Sequence, residues 1–324
     1  MRNYVLKRIA YVIIVMFCIS LILFSMLHLA PGDPVRLILG DTATEEQLEA
    51  MRVALGFDQP LMVQYFNYVS GLIVGDWGHS LFYRMPVMDM ILPAIRNTGI
   101  LAGAAFVVAM VIAIPLGVIA GVKRGSAGDV GAMGFALLGQ SLSPVWLGII
   151  MVLVFSVRLG WFPSFGNGTF MQLVLPAFTL GLPTAALTCR IVRAGMIDTL
   201  DEDYITVARA KGEPRLTVIF KYALRNVLIP TITVAGLQMG FFLSGAVVTE
   251  TVFAYNGIGR LMIDSVNRRD YPLVMGCLLM SSLLFVLVNF LVDMLYMVAD
   301  PRIRLTLIGN KRRKERVKSV KGAA

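Results

Sequence analysis

Charged residues are spaced so unevenly along this chain that the apolar stretches between them carry most of the information. No Asp, Glu, Lys or Arg interrupts residues 9–30, 97–122, 130–157, 159–189, 226–249 or 271–292. A helix needs about 20 apolar residues to cross a hydrocarbon core. Only helices and closed barrels can satisfy their backbones there, and a barrel strand alternates rather than running continuously apolar. The pattern therefore predicts an all-α, polytopic membrane protein with six transmembrane helices. The first stretch follows Arg2, Lys7 and Arg8 like a signal peptide, but it is too long for one and has no small-x-small cleavage site, so it reads as a retained helix.

Composition agrees: the 324 residues are 57% hydrophobic and 15% charged, against about 25% charged in an ordinary soluble domain. The net charge of +9 is divided among membrane-flanking segments. Lys and Arg number 21 in the N-terminus, the second and fourth connections and the C-terminus, against 8 in the opposite connections. The positive-inside rule then places both termini in the cytoplasm. The basic residues are topogenic and no nucleic acid is implied; membrane lipid is a partner that the basic tail Lys311-Arg312-Arg313-Lys314 could touch. Cys18, Cys189 and Cys277 lack CxxC spacing and read as small apolar residues.

Two connections are long enough to hold structure. In the outer one, 31–96, Thr44 through Gly56 has a Thr cap, an acidic first turn and a terminal glycine, which predicts a helix; Trp77, Phe82 and Tyr83 suit an interface. In the inner one, 190–225, small and β-branched residues from Asp203 to Lys211 predict a short helix with Ile205 and Ala208 on a slim face. Gly212 stops it in a left-handed conformation, and Glu213-Pro214 opens a second helix. A helix–glycine–helix elbow results, slim enough for a partner's groove.

This elbow resembles the coupling loop of type I ABC importer permeases, and the chain as a whole resembles the dipeptide/oligopeptide/nickel permease family. The supporting segments run in order along the sequence. They are Leu29-Ala30-Pro31-Gly32-Asp33-Pro34, Gly139-Gln140-Ser141-Leu142-Ser143-Pro144 with Trp146-Leu147-Gly148, Leu159-Gly160-Trp161-Phe162-Pro163, and Asp203-Tyr204 with Ala208 to Gly212. Ala223-Leu224-Arg225-Asn226, Glu250-Thr251-Val252-Phe253 with Gly257 to Leu261, Arg269-Asp270-Tyr271-Pro272 and Asp300 to Arg304 complete them. Thr206 replaces the acid that names the general loop and Arg225 its later proline, as the peptide branch prefers; Asn256 stands where that branch often has proline.

The resemblance implies a type I ABC importer permease fold in the inner membrane. Its organisation would be an N-terminal region over 1–96, a core permease domain over 97–304 with the coupling loop at 201–226, and a basic, disordered tail over 305–324. It implies a subunit that forms half the pathway for peptides or peptide-like solutes, with nickel, glutathione or a metallophore as alternative cargo. A homologous second permease, two ABC ATPases and an external solute-binding protein would be its partners. Thr206, Ala208, Arg209, Ala210, Lys211 and Gly212 carry over as the ATPase-docking surface.

Other chemistry is missing from the sequence. There is no G-x-x-x-x-G-K-[ST] segment, so ATP and Mg would be bound by the partner ATPases and no cofactor by this chain. His28 and His79 are the only histidines, no metal set is spaced along the chain, and no enzyme activity is implied. A self-contained secondary transporter would call for inverted repeats and ion-binding acids. Ser141, Ser143, Pro144, Gln238 and Asn289 are candidate pathway or gate residues. Asp293, about two turns before Asp300, reads as structural. Pro115, Pro144, Pro176, Pro183 and Pro230 serve bending or packing, and Gly99-x-x-x-Gly103 and Gly117-x-x-x-Gly121 serve close approach within the bundle or to a partner.

Overall fold

The computed structural model describes residues 2–29, 36 and 43–299. The basic tail over 305–324, Pro31 to Pro34, Asp300 to Arg304 and the Asp293 side chain lie outside the described residues. The described elements are helical: α1 (Arg2–Leu29), α2 (Glu45–Leu55), α3 (Leu61–Val74), α4 (Val87–Val122), α5 (Ala127–Ser141) and α6 (Pro144–Met151), which continues as a π-helix over Val152–Arg158. Then come α7 (Phe170–Leu200), α8 (Asp203–Ala210), α9 (Leu224–Val252), α10 (Ile258–Asn267) and α11 (Tyr271–Ala299); Arg215–Thr217 and a π-helical Val218–Ala223 lead into α9. Five helices are long and apolar enough to cross a membrane, and a sixth follows if α5 and α6 count as one broken span.

The expected third span is thus two helices, a correction to the uninterrupted run over 130–157. Leu142 is extended at φ −78° and ψ 129°. Pro144 lacks an amide proton and disfavours helix at the residue before it, which suits the break at Ser143 without being enough to impose it. The fourth stretch also shifts. Residues 159–169 form a loop with Gly160, Gly166 and Gly168 at φ 63°, 106° and 126°, and the helix starts only at Phe170. α2 forms as expected, with a reciprocal Thr44–Gln47 capping box and a left-handed Gly56.

The chain divides into two compact units. The first comprises Met1–Ala104, Pro144–Thr179 and Phe242–Val286. Its core gathers Val87, Ile91, Ala94, Ile258, Leu273, Cys277 and Met280. The second comprises Ala105–Ser143, Leu180–Phe241 and Leu287–Ala324. Here small residues let α4 and α7 approach closely. A Cβ on Gly117 would stand 2.6 Å from Val192 Cβ, and one on Gly121 2.5 Å from Met196 Cβ. The Gly117–Gly121 pair is therefore an internal contact, whereas Gly99 and Gly103 face open space. From the α7 side, a Cβ on Gly181 would lie 2.5 Å from the Ala105 carbonyl oxygen.

That approach generates a prediction. Gly181→Val forces backbone apart, and overpacking of this kind costs about 1–3 kcal/mol. It should lower the unfolding temperature in detergent, followed by intrinsic fluorescence. Gly131→Ala, which meets nothing within 4 Å, should not. Equal melting of both variants would contradict the packing account.

Candidate functional site

The elbow is built from α8, a left-handed turn and the helical run that follows. α8 ends at Ala210; Gly212 takes φ 79°, its amide donates to the Arg209 carbonyl, and Glu213 donates back to the Ala208 carbonyl at 3.3 Å. Pro214 precedes the next helical turn, as expected. A Cβ at Gly212 would meet nothing within 4 Å, so glycine is required there by backbone conformation rather than by crowding.

The elbow's inward face anchors it to the second unit. Ile205 is fully buried and Ala208 is 6% exposed, and both belong to a cluster with Val118, Val192, Met196, Val218, Ile219 and Val227. Ala208 therefore does not sit at the centre of a free surface: its small side chain lets α8 seat on the chain's own core. Arg209 is exposed but borders a cavity with Val122, Leu200, Glu213, Val218 and Ile219, while Thr206, Ala210, Lys211 and Gly212 are exposed on the side away from that cluster. Val207 joins them, with Leu216 and Phe220 exposed just beyond the turn. Two side-chain bonds brace the bend: Asn226 Nδ2 donates to Tyr204 Oη at 2.6 Å, and Tyr222 Oη donates to Glu213 Oε1 at 3.2 Å.

The pathway candidates are more dispersed. Ser141 and Ser143 are exposed at the α5–α6 break, where the Ser141 hydroxyl donates to the Leu137 carbonyl at 2.9 Å. Pro144 opens α6, while Gln238 and Asn289 are half-buried on α9 and α11. Among the described residues no group of three or more His, Cys, Asp and Glu has metal-site geometry.

Three acidic side chains that sequence reasoning passed over organise the structure. Glu250 is fully buried at the end of α9. Its Oε2 accepts the amides of Gly259 and Arg260 at 2.8 and 3.1 Å, and Thr98 Oγ1 donates to its Oε1 at 2.5 Å. The same Thr98 oxygen accepts the Ile258 amide at 2.9 Å. All three leading amides of α10 are thereby satisfied from outside the helix, in place of a conventional cap. A Cβ at Gly257 would collide with the Glu250 carboxylate, and one at Gly259 would stand 2.5 Å from Val247 Cα and 3.0 Å from Glu250 Oε2. An acid at the edge of an apolar run, followed by a Gly-x-Gly pair opening a helix, was the available signal.

Asp270 is likewise buried. It accepts the Ser80 hydroxyl, the amides of Leu81 and Phe82, both at 3.2 Å, and the Leu273 amide at 3.4 Å. It ties the start of α11 to the 80–82 loop, where the Arg268 guanidinium lies 4.0 Å from the Phe82 ring centroid. In the second unit, Arg193 makes a two-pronged ion pair with Asp129 at 2.5 and 2.8 Å, and Asp129 also accepts the Gly125 amide at 3.0 Å. The α4–α5 turn is thus held to α7.

Burial raises the Glu250 carboxyl above its usual 4.5, against the opposing pull of the bonds from Thr98, Arg260 and Gly259. The folded state then keeps a proton that the unfolded chain releases. The stability it contributes is full below 4.5 and is lost as pH climbs through the raised value. Glu250→Gln should flatten this part of the melting-temperature profile. Glu250→Ala leaves buried amides unpaired, at about 1–3 kcal/mol each, and should lower the unfolding temperature at every pH. An unchanged profile for Gln with wild-type stability for Ala would contradict the capping role.

Comparison with known proteins matches this architecture to one family. The model described as "Binding-protein-dependent transport system inner membrane component" matches residues 113–305. Its N-terminal companion, "Binding-prot-dependent transport system membrane comp, N-term", matches residues 1–88. The chain is 42% identical over 304 residues to "Glutathione transport system permease protein GsiC" of Escherichia coli (strain K12), covering 94% of this chain and 99% of the relative. The protein of that name from Shigella flexneri serotype 5b (strain 8401) matches at the same identity and coverage. Among solved structures, an inward-facing MetNI methionine ABC transporter superposes with a TM-score of 0.53 at 18% identity, over 66% of this chain and 97% of that one. An amino acid ABC transporter with histidines gives 0.51 at 12% identity, over 64% and 94%. At these identities the structural likeness concerns the fold.

Proposed function

The chain belongs to the binding-protein-dependent transport system inner membrane components, and from that membership we propose how its elbow, its cargo and its orientation fit together. It is a multi-pass inner-membrane protein and a permease subunit of an ABC importer. ATPase and solute-binding partners follow from the family. In our reading the chain is non-catalytic and forms half of the translocation pathway, a homologous second permease forming the other half. Two separate ATPases bind and hydrolyse Mg-ATP.

The cargo is a peptide or peptide-like solute. The relatives named for glutathione transport support a γ-glutamyl tripeptide. The 21-to-8 distribution of Lys and Arg supports a cytoplasmic location for both termini and for the elbow. The observation that carries the proposal is the outward face of the elbow: Thr206, Val207, Ala210, Lys211 and Gly212 exposed around a left-handed turn with open space over the glycine, and Arg209 exposed at its edge. A rigid, slim projection braced on the chain's own core is what an ATPase groove needs to grip. ATP binding would draw the ATPases together and bias a two-state permease through this contact.

The side chains assign separable outcomes to three variants. Gly212→Val pays about 1–2 kcal/mol for a β-carbon in the left-handed region, and that β-carbon has nothing within 4 Å, so in this reading further loss comes from the partner. ATPase co-purification should fall about tenfold or more, tenfold being about 1.4 kcal/mol, with membrane abundance preserved. Ala210→Trp, on the exposed face, should also lose ATPase and uptake of labelled glutathione while remaining in the membrane. Ala208→Trp, pointing into the core, should lose the protein itself. Normal co-purification and uptake in the first two would refute the docking surface. Normal coupling with no glutathione uptake in the wild type would refute only the cargo.

A further inference from the structure

Residues 61–74 fall in the long polar connection between the first two spans, yet the helix they form has the surface of a membrane element. α3 contains no charged residue, and its 14 residues are too few to cross a bilayer. Met62, Phe66 and Ile73 follow helical spacing along one face and are 72%, 68% and 81% exposed. The amides lie on another face and are spent within the chain. Gln64 Nε2 donates to the carbonyls of Phe57 and Gln59 at 3.2 and 2.7 Å, and Asn67 Nδ2 donates to Gln59 Oε1 at 3.1 Å.

The depth of this helix follows from what it touches. Tyr65 Oη and Ser20 Oγ share a buried hydrogen bond of 2.9 Å. The Tyr65 ring stands edge-on to Phe17 and Phe24, at centroid distances of 6.2 and 5.3 Å, and Tyr68 stacks on Phe24 at 6.1 Å. Ser20 lies well inside the Ile9–Met26 span, about 9 Å short of its end at 1.5 Å per residue. The outward side chains of that span, among them Ile13, Phe17 and Ile22, are exposed and apolar. A helix tied at this level to a spanning helix is itself within hydrocarbon.

We infer that Leu61–Val74 is a half-span, lodged in the leaflet that holds the C-terminal half of α1, with its Met62–Phe66–Ile73 face covered by phospholipid acyl chains. Lipid fits better than a protein partner for two reasons. The face continues the exposed apolar surface of α1, and its polar flank, Ser70, donates to the Asn67 carbonyl of the same helix, so α3 brings no charged group to rim a protein interface. The inference is independent of the elbow's docking role.

Spin labels at single cysteines test it, with Cys18, Cys189 and Cys277 replaced. Labels at Met62, Phe66 and Ile73, and at the exposed Glu46 of α2, are read in the permease purified with its partner subunits. The complex is reconstituted in phosphatidylethanolamine–phosphatidylglycerol vesicles. The three α3 sites should be relaxed strongly by oxygen and lose access to a water-soluble nickel chelate, while Glu46 shows the reverse. Nickel access at the α3 sites matching Glu46 would place the helix in water and overturn the inference. Exclusion of both relaxants would mean that a protein covers the face, which overturns it equally.

Discussion

Hydrocarbon offers a polar group nothing to bond to, so every amide, carbonyl and carboxylate at membrane depth must find its partner inside the chain. Most of this protein's backbone meets that demand by being helical. The informative places lie at the edges of the charge-free stretches, where a helix begins, ends or breaks. At the start of α10, Glu250 and Thr98 together accept three leading amides. At the start of α11, Asp270 collects the amides of Leu81 and Phe82. At the α4–α5 turn, Asp129 accepts from Gly125 and pairs with Arg193. Each acid also reaches an element distant in sequence: Glu250 meets Thr98 on α4, Asp270 the 80–82 loop and Asp129 Arg193 on α7.

The elbow follows the same logic with a different outcome. Its inward residues, Ile205 and Ala208, are spent on the second unit's core, and among the described residues the exposed side chains of Thr206, Val207, Ala210 and Lys211 show no bond to the rest of the chain. A projection so firmly seated can transmit force, because the displacement of a rigid helix is not absorbed by its own turn. In an importer permease, a part that must be pushed from outside the membrane should combine an anchored face with a bare one.

Much of this was legible in the sequence, for reasons that differ by feature. Charge-free stretches mark spans because ions are costly in lipid, and the Thr44–Gly56 helix and the Gly212 turn were read correctly because caps and left-handed glycines act locally. The break at Ser143 was not legible. Pro230 sits inside the continuous α9, so proline alone does not decide. Packing across the first unit accompanies the break: α6 lies so close to the end of α9 that a Cβ on Gly148 would stand 3.0 Å from Val252. The side on which Ala208 falls was hidden for the same reason, since it depends on Val218 and Ile219 folding back onto α8. Glu250 was quoted as part of a family segment without a role, because its partner Thr98 is 152 positions away.

The central claim is that the outward face of the elbow is where an ATPase grips this permease. Photocrosslinking tests it most directly. A benzoylphenylalanine placed at Val207, 52% exposed on α8, would be irradiated in the assembled importer, with the equally accessible Phe165 in the 159–169 loop as reference. The account predicts a covalent adduct with the ATPase subunit from position 207 and none from position 165. An ATPase adduct from 165, or its absence from 207 in an importer that still hydrolyses ATP, would contradict it.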